Sequence, residues 1–145
     1  VPYSMVNRGI ENDVVPYCIA KNIGILAYSP LQRGLLTGKI KPGHNFGMGD
    51  SRPDSIYYKE PNLSKILQLT DNLREIANEL HVTLSQLVLN WTIHQPGITS
   101  ALAGARTAEQ VLDNVKAVDF CLTNEEIKRI NILLSNLKLE TNIFK

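Results

Sequence analysis

Apolar residues in this chain fall into short continuous runs that alternate with longer stretches of helical spacing. The runs at residues 1–7, 25–28 and 98–103 predict strands. The run at 25–28 is short and almost uniformly apolar, which is typical of a strand covered on both faces in a parallel sheet. The helical stretches cover residues 11–21, 63–80, 107–117 and 123–137, with a further helix that begins at Thr83 and stops before Pro96 and Gly97.

Three of the predicted helices begin with a threonine followed three residues later by Gln or Glu, the pattern of a capping box. These pairs are Thr83 with Gln86, Thr107 with Gln110, and Thr123 with Glu126. Strand followed by helix, repeated three times, predicts an α/β fold with a parallel sheet and right-handed crossovers. A barrel and an open doubly wound sheet both satisfy this pattern.

The chain has 145 residues, whereas a complete (β/α)8 barrel typically needs about 250. The length fits one ordinary domain or part of a barrel. Because the sequence opens directly on a strand-like segment without an initiator Met, we expect a portion of a larger protein.

Composition excludes several classes of partner. Hydrophobic residues make up 43%, charged residues 20%, and the net charge is +1, with basic residues scattered along the chain. We therefore expect no nucleic-acid partner and no membrane partner. Cys18 and Cys121 lack metal-ligand spacing and are expected to be reduced thiols of a cytoplasmic protein. His44, His81 and His94 show no metal or triad spacing either, so no metal site is expected.

Three motifs point to one known family. The segment AYSPLQRGLLTGK at residues 27–39 resembles the strand-seven signature of the aldo-keto reductases, and GARTAEQVLDN at 104–114 resembles their eighth strand-to-helix junction. The opening PYSMVNR at 2–8 is similar to their sixth strand. The resemblance implies a (β/α)8 TIM barrel, with residues 1–145 as the C-terminal part of a single barrel domain: strands 6 to 8, their helices and a C-terminal helix.

Strand ends are where a barrel places its ligand site. The ring of Tyr28 offers a flat face for a heterocycle, or is a core tyrosine. Ser29 through Arg33 form either a turn whose N–H groups hold pyrophosphate or a helix-initiating turn. Gly34 and Gly38 allow a close backbone approach, and Lys39 adds a charge suited to phosphate. The long breaker-rich connection at 29–62 also carries Arg52, a cofactor contact by resemblance or a solvated surface residue.

The junction at 104–114 joins a strand end to a helix N-terminus, which favours an anion. Arg106 is placed to bind the 2′-phosphate of NADP, or is an exposed loop arginine. Gln110, Asp113 and Asn114 share one side of the helix, which by resemblance holds the adenosine, although Gln110 also fits the capping box. The full predicted cofactor set is Tyr28, Ser29, Pro30, Leu31, Gln32, Arg33, Lys39, Arg52, Gly104, Arg106, Gln110, Asp113 and Asn114.

The resemblance implies an NADP(H)-dependent oxidoreductase that reduces a small aldehyde or ketone. In that family the Tyr, Lys, Asp and His that handle the carbonyl come from the first four strands, so no catalytic residue is nominated here, and Tyr3 and Tyr28 are not assigned that role. The chain alone is expected to be inactive and to self-associate through its open sheet edges. The alternative is a nucleotide-binding regulatory subunit of the potassium-channel β-subunit type.

Overall fold

The fold is built on two parallel strands, β1 (Ile25–Tyr28) and β2 (Ile98–Leu102). A computed structural model describes residues 1–141, so residues 142–145 of the expected domain lie outside the described part. In the pairing, Ala27 lies opposite Ala101 and Tyr28 opposite Leu102. The helices are α1 (Val14–Ala20), α2 (Asn62–Glu79), α3 (Leu84–Ile93), α4 (Ala108–Val115) and α5 (Asn124–Asn136). Within residues 1–141, none of them is both long and apolar enough to cross a bilayer.

The first residues add a third parallel segment beside β1. The Tyr3 N–H donates to the Tyr28 carbonyl at 3.1 Å, and the Tyr28 N–H donates to the Val1 carbonyl at 2.9 Å. Beyond Tyr3 the predicted strand over residues 1–7 is wrong, because Ser4 and Asn7 exchange two backbone hydrogen bonds of 3.1 Å that reverse the chain. The predicted strands at 25–28 and 98–103 are confirmed, the latter ending one residue early.

The helix starts follow the capping chemistry at two of three predicted sites. Thr83 with Gln86 and Thr123 with Glu126 form complete capping boxes at α3 and α5. At α4 only half of the predicted box exists. Thr107 accepts from the Gln110 N–H, but the Gln110 side chain accepts from the Arg106 N–H at 2.8 Å instead of from Thr107.

Other predicted helices are confirmed with adjusted ends. The predicted helix at 11–21 divides into a single 3-10 turn at Gly9–Asn12 and then α1, which Asp13 caps by accepting from the Val14 N–H at 2.6 Å. The predicted 63–80 helix is α2, and the 107–117 helix is α4 followed by a 3-10 turn at Lys116–Val118. The long connection 29–62, predicted without regular structure, contains three further 3-10 turns.

A buried aromatic cluster joins the first residues to α3. Tyr3 stacks on Trp91 with ring centroids 6.0 Å apart, and the Arg8 guanidinium lies 5.5 Å from the centre of the Trp91 ring. Glu11 accepts from the Tyr3 hydroxyl at 2.6 Å and from Arg8 at 2.7 and 2.9 Å. The Tyr3 hydroxyl and two Arg8 nitrogens therefore have partners in this cluster, whereas the buried Nε1 of Trp91 has none among residues 1–141.

One face of the sheet is open in this chain. Ile25 and Ala27 point into the core, whereas Leu26 and Tyr28 alternate to the other side and are 53% and 49% exposed. The expectation that β1 is covered on both faces is therefore wrong for the described residues. Leu102, opposite Tyr28, is also 53% exposed. An apolar strand face left in water indicates a surface that another polypeptide segment covers.

The attachment of α4 is unusual because this helix contributes no buried residue to the core. Its apolar residues Val111 and Val115 are exposed. Hydrogen bonds from α3 hold it instead. The Gln86 amide donates to the Asp113 side chain at 2.7 Å and to the Asp113 carbonyl at 3.1 Å. One turn later, Asn90 donates to the carbonyls of Ala117 and Phe120 at 2.8 and 2.7 Å.

We expect Asn90→Ala to lower the free energy of unfolding by about 2–4 kcal/mol, since it removes two hydrogen bonds and leaves two carbonyls without their donor. Urea unfolding followed by circular dichroism measures the effect. The matched control is Asn131→Ala on the exposed side of α5, expected to change stability by less than about 0.5 kcal/mol. Equal stability of the two variants would contradict the importance of Asn90.

Candidate cofactor-binding site

A left-handed turn follows β1 and shapes one wall of the site. Ser29 has φ 58°, and Gln32, Arg33 and Gly34 have φ values of 47°, 56° and 96° in succession. Positive φ values favour glycine. Gln32 and Arg33 carry side chains, so their conformation needs support from the surroundings. The Tyr58 hydroxyl supplies it by contacting the carbonyls of both Gln32 and Arg33 at 3.1 Å.

The Gln32 side chain supports the same turn from the core. It is buried, and its Oε1 accepts from the Ser4 hydroxyl at 3.0 Å. Pro30 is buried as well. These two predicted site residues therefore fix the conformation of the turn, and their side chains do not face the cleft described below.

The long loop between the turn and α2 carries a tight ion pair. Arg52 contacts the Asp50 carboxylate through Nε and Nη2 at distances of 2.6 to 3.0 Å, and its guanidinium lies 5.1 Å from the centre of the Phe46 ring. The hydrogen bonds from Arg52 lower the pKa of Asp50 to about 2. Arg33 adds a second attachment by donating to the Ser51 hydroxyl at 2.8 Å.

The start of α4 forms the opposite wall. Gln110 accepts from the Arg106 N–H and so shapes the backbone just before the helix. The guanidinium of Arg106 and the ammonium of Lys39 are exposed, and neither has a hydrogen-bond or ion-pair partner among residues 1–141. Two unpaired cations beside a helix N-terminus make a favourable place for an anion.

A cleft of about 230 Å³ lies between these walls. It gathers most of the predicted set from three separate parts of the chain. The predicted residues that line it are Leu31, Arg33, Lys39, Arg52, Gly104, Arg106, Gln110, Asp113 and Asn114. A second cleft of about 560 Å³ adjoins it along the long loop, and Arg33, Arg52 and Arg106 line both. The two clefts therefore share a wall that contains three arginines.

Comparisons with known proteins identify the family. A sequence model described as the Aldo/keto reductase family matches residues 1–135. The chain belongs to the aldo/keto reductase family. It is 31% identical over 124 residues to the NADH-specific methylglyoxal reductase of Escherichia coli, covering 86% of this chain and 37% of that protein. It is 31% identical over 150 residues to a probable voltage-gated potassium channel subunit beta of rice, Oryza sativa subsp. japonica, covering 99% of this chain and 45% of that protein.

A solved aldo-keto reductase structure shares the fold. The glycerol dehydrogenase AKR11B4 of Gluconobacter oxydans matches with a TM-score of 0.86 and 29% identity, over 99% of this chain and 45% of that one. The fold is therefore that of part of a (β/α)8 barrel, and the element order is that of its C-terminal portion. The chain spans less than half the length of these relatives.

Two predicted residues lie outside the cleft on the side of the open sheet. Tyr28 ends β1 with its ring on the exposed face, and Ser29 begins the turn beside it. Neither residue lines the cleft, so a ligand that contacts both the Tyr28 ring and the cleft must extend past the turn.

Sequence reasoning missed three cleft residues. Thr37 and Ile40 follow the left-handed turn, and Ser85 comes from the first turn of α3. The Thr37 hydroxyl donates to the Gly34 carbonyl at 2.7 Å, so it also supports the turn. Ser85 carries no motif of its own. Only the packing of α3 against α4 brings it to the cleft.

The Tyr3 ring is enclosed in the core, and its hydroxyl donates to Glu11. Burial and this contact raise the pKa of the hydroxyl above the ordinary value. The omission of Tyr3 from the catalytic assignment stays a prediction. Among residues 1–141 no three His, Cys, Asp or Glu side chains cluster as metal ligands would.

The Asp50–Arg52 ion pair is expected to shift the titration of Asp50. Asp50 has a pKa lowered from 3.8 to about 2, so its contribution to the loop is present above pH 4 and is lost as the pH falls toward 2. Carboxyl carbon NMR of Asp50 should titrate near pH 2, and in the Arg52→Ala variant the midpoint should rise toward 3.8 without reaching it, because the backbone N–H of residue 52 still donates to this carboxylate. A wild-type midpoint near 3.8 would show that the ion pair does not persist in solution.

Proposed function

We propose that this chain is the dinucleotide-binding part of an NADP(H)-dependent aldo-keto reductase that acts on an aldehyde or ketone. The observation that carries the proposal is the pair of unpaired cations, Arg106 and Lys39, in a cleft at the N-terminus of α4. A phosphate there meets free N–H groups, the helix dipole and two charges that no carboxylate in the described residues neutralises.

Similarity alone does not choose between the two nicotinamide cofactors, since the Escherichia coli relative is named as NADH-specific. The charges in the cleft support NADP(H). Arg33, Lys39, Arg52 and Arg106 line the cleft. Asp50 neutralises Arg52, which leaves three cations against Asp113, the one acid among the described residues that line the cleft. NADP(H) differs from NAD(H) by a 2′-phosphate, and this excess of positive charge matches it.

The extended shape of the site fits a dinucleotide. The exposed ring of Tyr28 offers a stacking surface for the nicotinamide, the turn that begins at Ser29 offers backbone N–H groups to the pyrophosphate, and the cleft at α4 takes the adenosine end. Bound NADPH supplies the hydride, and the residues of this chain bind and orient it.

We further propose that the open faces contact the strands that supply the carbonyl-binding groups. Leu26 and Tyr28 on β1, and Val111 and Val115 on α4, are exposed apolar residues. Curated relatives are more than twice as long as the matched region, which leaves ample chain for such a cover. Without it, the same faces favour self-association of this chain. The expected partner in catalysis is a small carbonyl compound.

A channel regulatory subunit is the second candidate, favoured by the 31% identity to the rice protein named as a probable channel subunit beta. Both candidates use the same nucleotide site. Turnover of NADPH with a carbonyl compound by the protein that contains this chain supports the enzyme. Tight NADPH binding without turnover, with binding to a channel cytoplasmic domain, supports the subunit.

We expect Arg106→Ala to weaken NADPH binding by about ten- to hundredfold, because a charge-assisted hydrogen bond contributes about 1.5–3 kcal/mol. NADH binding should barely change, since NADH lacks the 2′-phosphate. Fluorescence titration of both cofactors measures the two effects. The matched control is Arg129→Ala, which removes an arginine on α5 outside the cleft. Equal losses for NADH and NADPH would show that Arg106 only shapes the loop.

We also expect this chain alone to have no carbonyl reductase activity, because the groups that protonate the carbonyl in the family lie outside the three matching motifs. NADPH oxidation with 4-nitrobenzaldehyde, followed at 340 nm, measures this against a control without protein. NADPH consumption clearly above that control would contradict the proposal that the catalytic groups lie outside this chain.

A further inference from the structure

The position of α4 depends on a side chain that does not touch the cleft. Gln86 is buried in the first turn of α3, and none of its atoms lines the cleft. Its Oε1 accepts from the Thr83 N–H at 3.1 Å and completes the capping box, while its Nε2 donates to Asp113 at 2.7 Å. One amide thus links the start of α3 to the middle of α4.

The Asp113 carboxylate accepts hydrogen bonds from two residues of the α3 capping box. Besides Gln86, the Thr83 hydroxyl lies 3.2 Å from Asp113 Oδ2. Asp113 had been predicted as a direct adenosine contact because it shares a helix side with Gln110 and Asn114. In the structure Asp113 still lines the cleft with Gln110 and Asn114, but its carboxylate accepts from two donors of the α3 capping box.

We infer that Gln86 and Asp113 are positioning residues: their hydrogen bond fixes the rotation and distance of α4, and thereby places Arg106, Gln110 and Asn114 for the cofactor. Since α4 buries no residue of its own, few apolar contacts resist a rotation of this helix. A directional hydrogen bond to a carboxylate does resist it. This inference rests on the proposed cofactor site.

The test exchanges the two functional groups. Gln86→Glu keeps the acceptor that completes the α3 capping box but replaces the donor to Asp113 with a second carboxylate, and like charges at this separation repel. Gln86→Glu combined with Asp113→Asn restores the side-chain hydrogen bond with donor and acceptor exchanged, but not the bond from Gln86 to the Asp113 carbonyl. The control is Glu126→Gln, the reverse exchange in the capping box of α5.

The probe is 2′,5′-ADP, which carries the adenosine and 2′-phosphate of NADP(H), titrated calorimetrically into the 145-residue chain. We expect Gln86→Glu to weaken binding by about tenfold, and the exchanged pair to recover affinity to within about threefold of wild type. Glu126→Gln should leave affinity unchanged. Hydrogen exchange of amides 108–115 should rise in Gln86→Glu and fall back in the exchanged pair, which reports on α4 without any ligand.

Each outcome decides a separate question. Wild-type affinity in a folded Gln86→Glu variant overturns the positioning role and leaves the proposed function standing. If Asp113→Asn alone weakens binding as much as Gln86→Glu, and the exchanged pair does not recover, Asp113 is a direct ligand and the inference is wrong. If Gln86→Glu fails to fold, the exchanged pair and Asp113→Asn still decide it. A wild-type chain that does not bind 2′,5′-ADP overturns the proposed function itself.

Discussion

The candidate site depends on how α3 holds α4. Two buried amides one turn apart, Gln86 and Asn90, donate to Asp113 and to the carbonyls of Ala117 and Phe120. The alternative would be apolar packing, but α4 buries no residue in this chain. Apolar contacts are non-directional, whereas these hydrogen bonds fix both distance and rotation. The N-terminal end of α4, where the cofactor site is proposed, is therefore held in place by the polar side of α3.

The opposite wall depends on a different kind of constraint. Gln32 and Arg33 carry side chains at φ values of 47° and 56°, a conformation that costs free energy outside glycine. Tyr58 compensates from the long loop and Ser4 from the first residues. These two supports come from opposite directions in the sequence. The conformation of the turn therefore depends on the packing of both the first residues and the long loop. The parallel register of β1 and β2 then brings the two walls together.

Features with a local cause were predictable from the sequence. The capping boxes at Thr83 and Thr123 need only four consecutive residues, and both formed. The box at Thr107 formed only in part, because the Gln110 side chain accepts from the Arg106 N–H and not from the Thr107 N–H. Gln32 and Asp113 were assigned to the cofactor by motif, yet their side-chain partners lie 28 and 27 residues away. Hydrogen bonds between residues so far apart leave no periodic or motif signal in the sequence. Only the folded chain therefore shows which way these side chains point.

The distribution of charge in the cleft bears on the proposed choice between NADP(H) and NAD(H). An exposed helix N-terminus contributes only about 0.3–1 kcal/mol toward a phosphate, and it serves any phosphate equally. A charge-assisted hydrogen bond contributes about 1.5–3 kcal/mol and acts only on the group it reaches. Arg52 is paired with Asp50, whereas Arg106 has no partner among the described residues, so Arg106 is the more available cation for discrimination. The helix N-terminus therefore fits a phosphate of either dinucleotide, and under the proposed function the unpaired Arg106 is the cation that distinguishes NADP(H) from NAD(H).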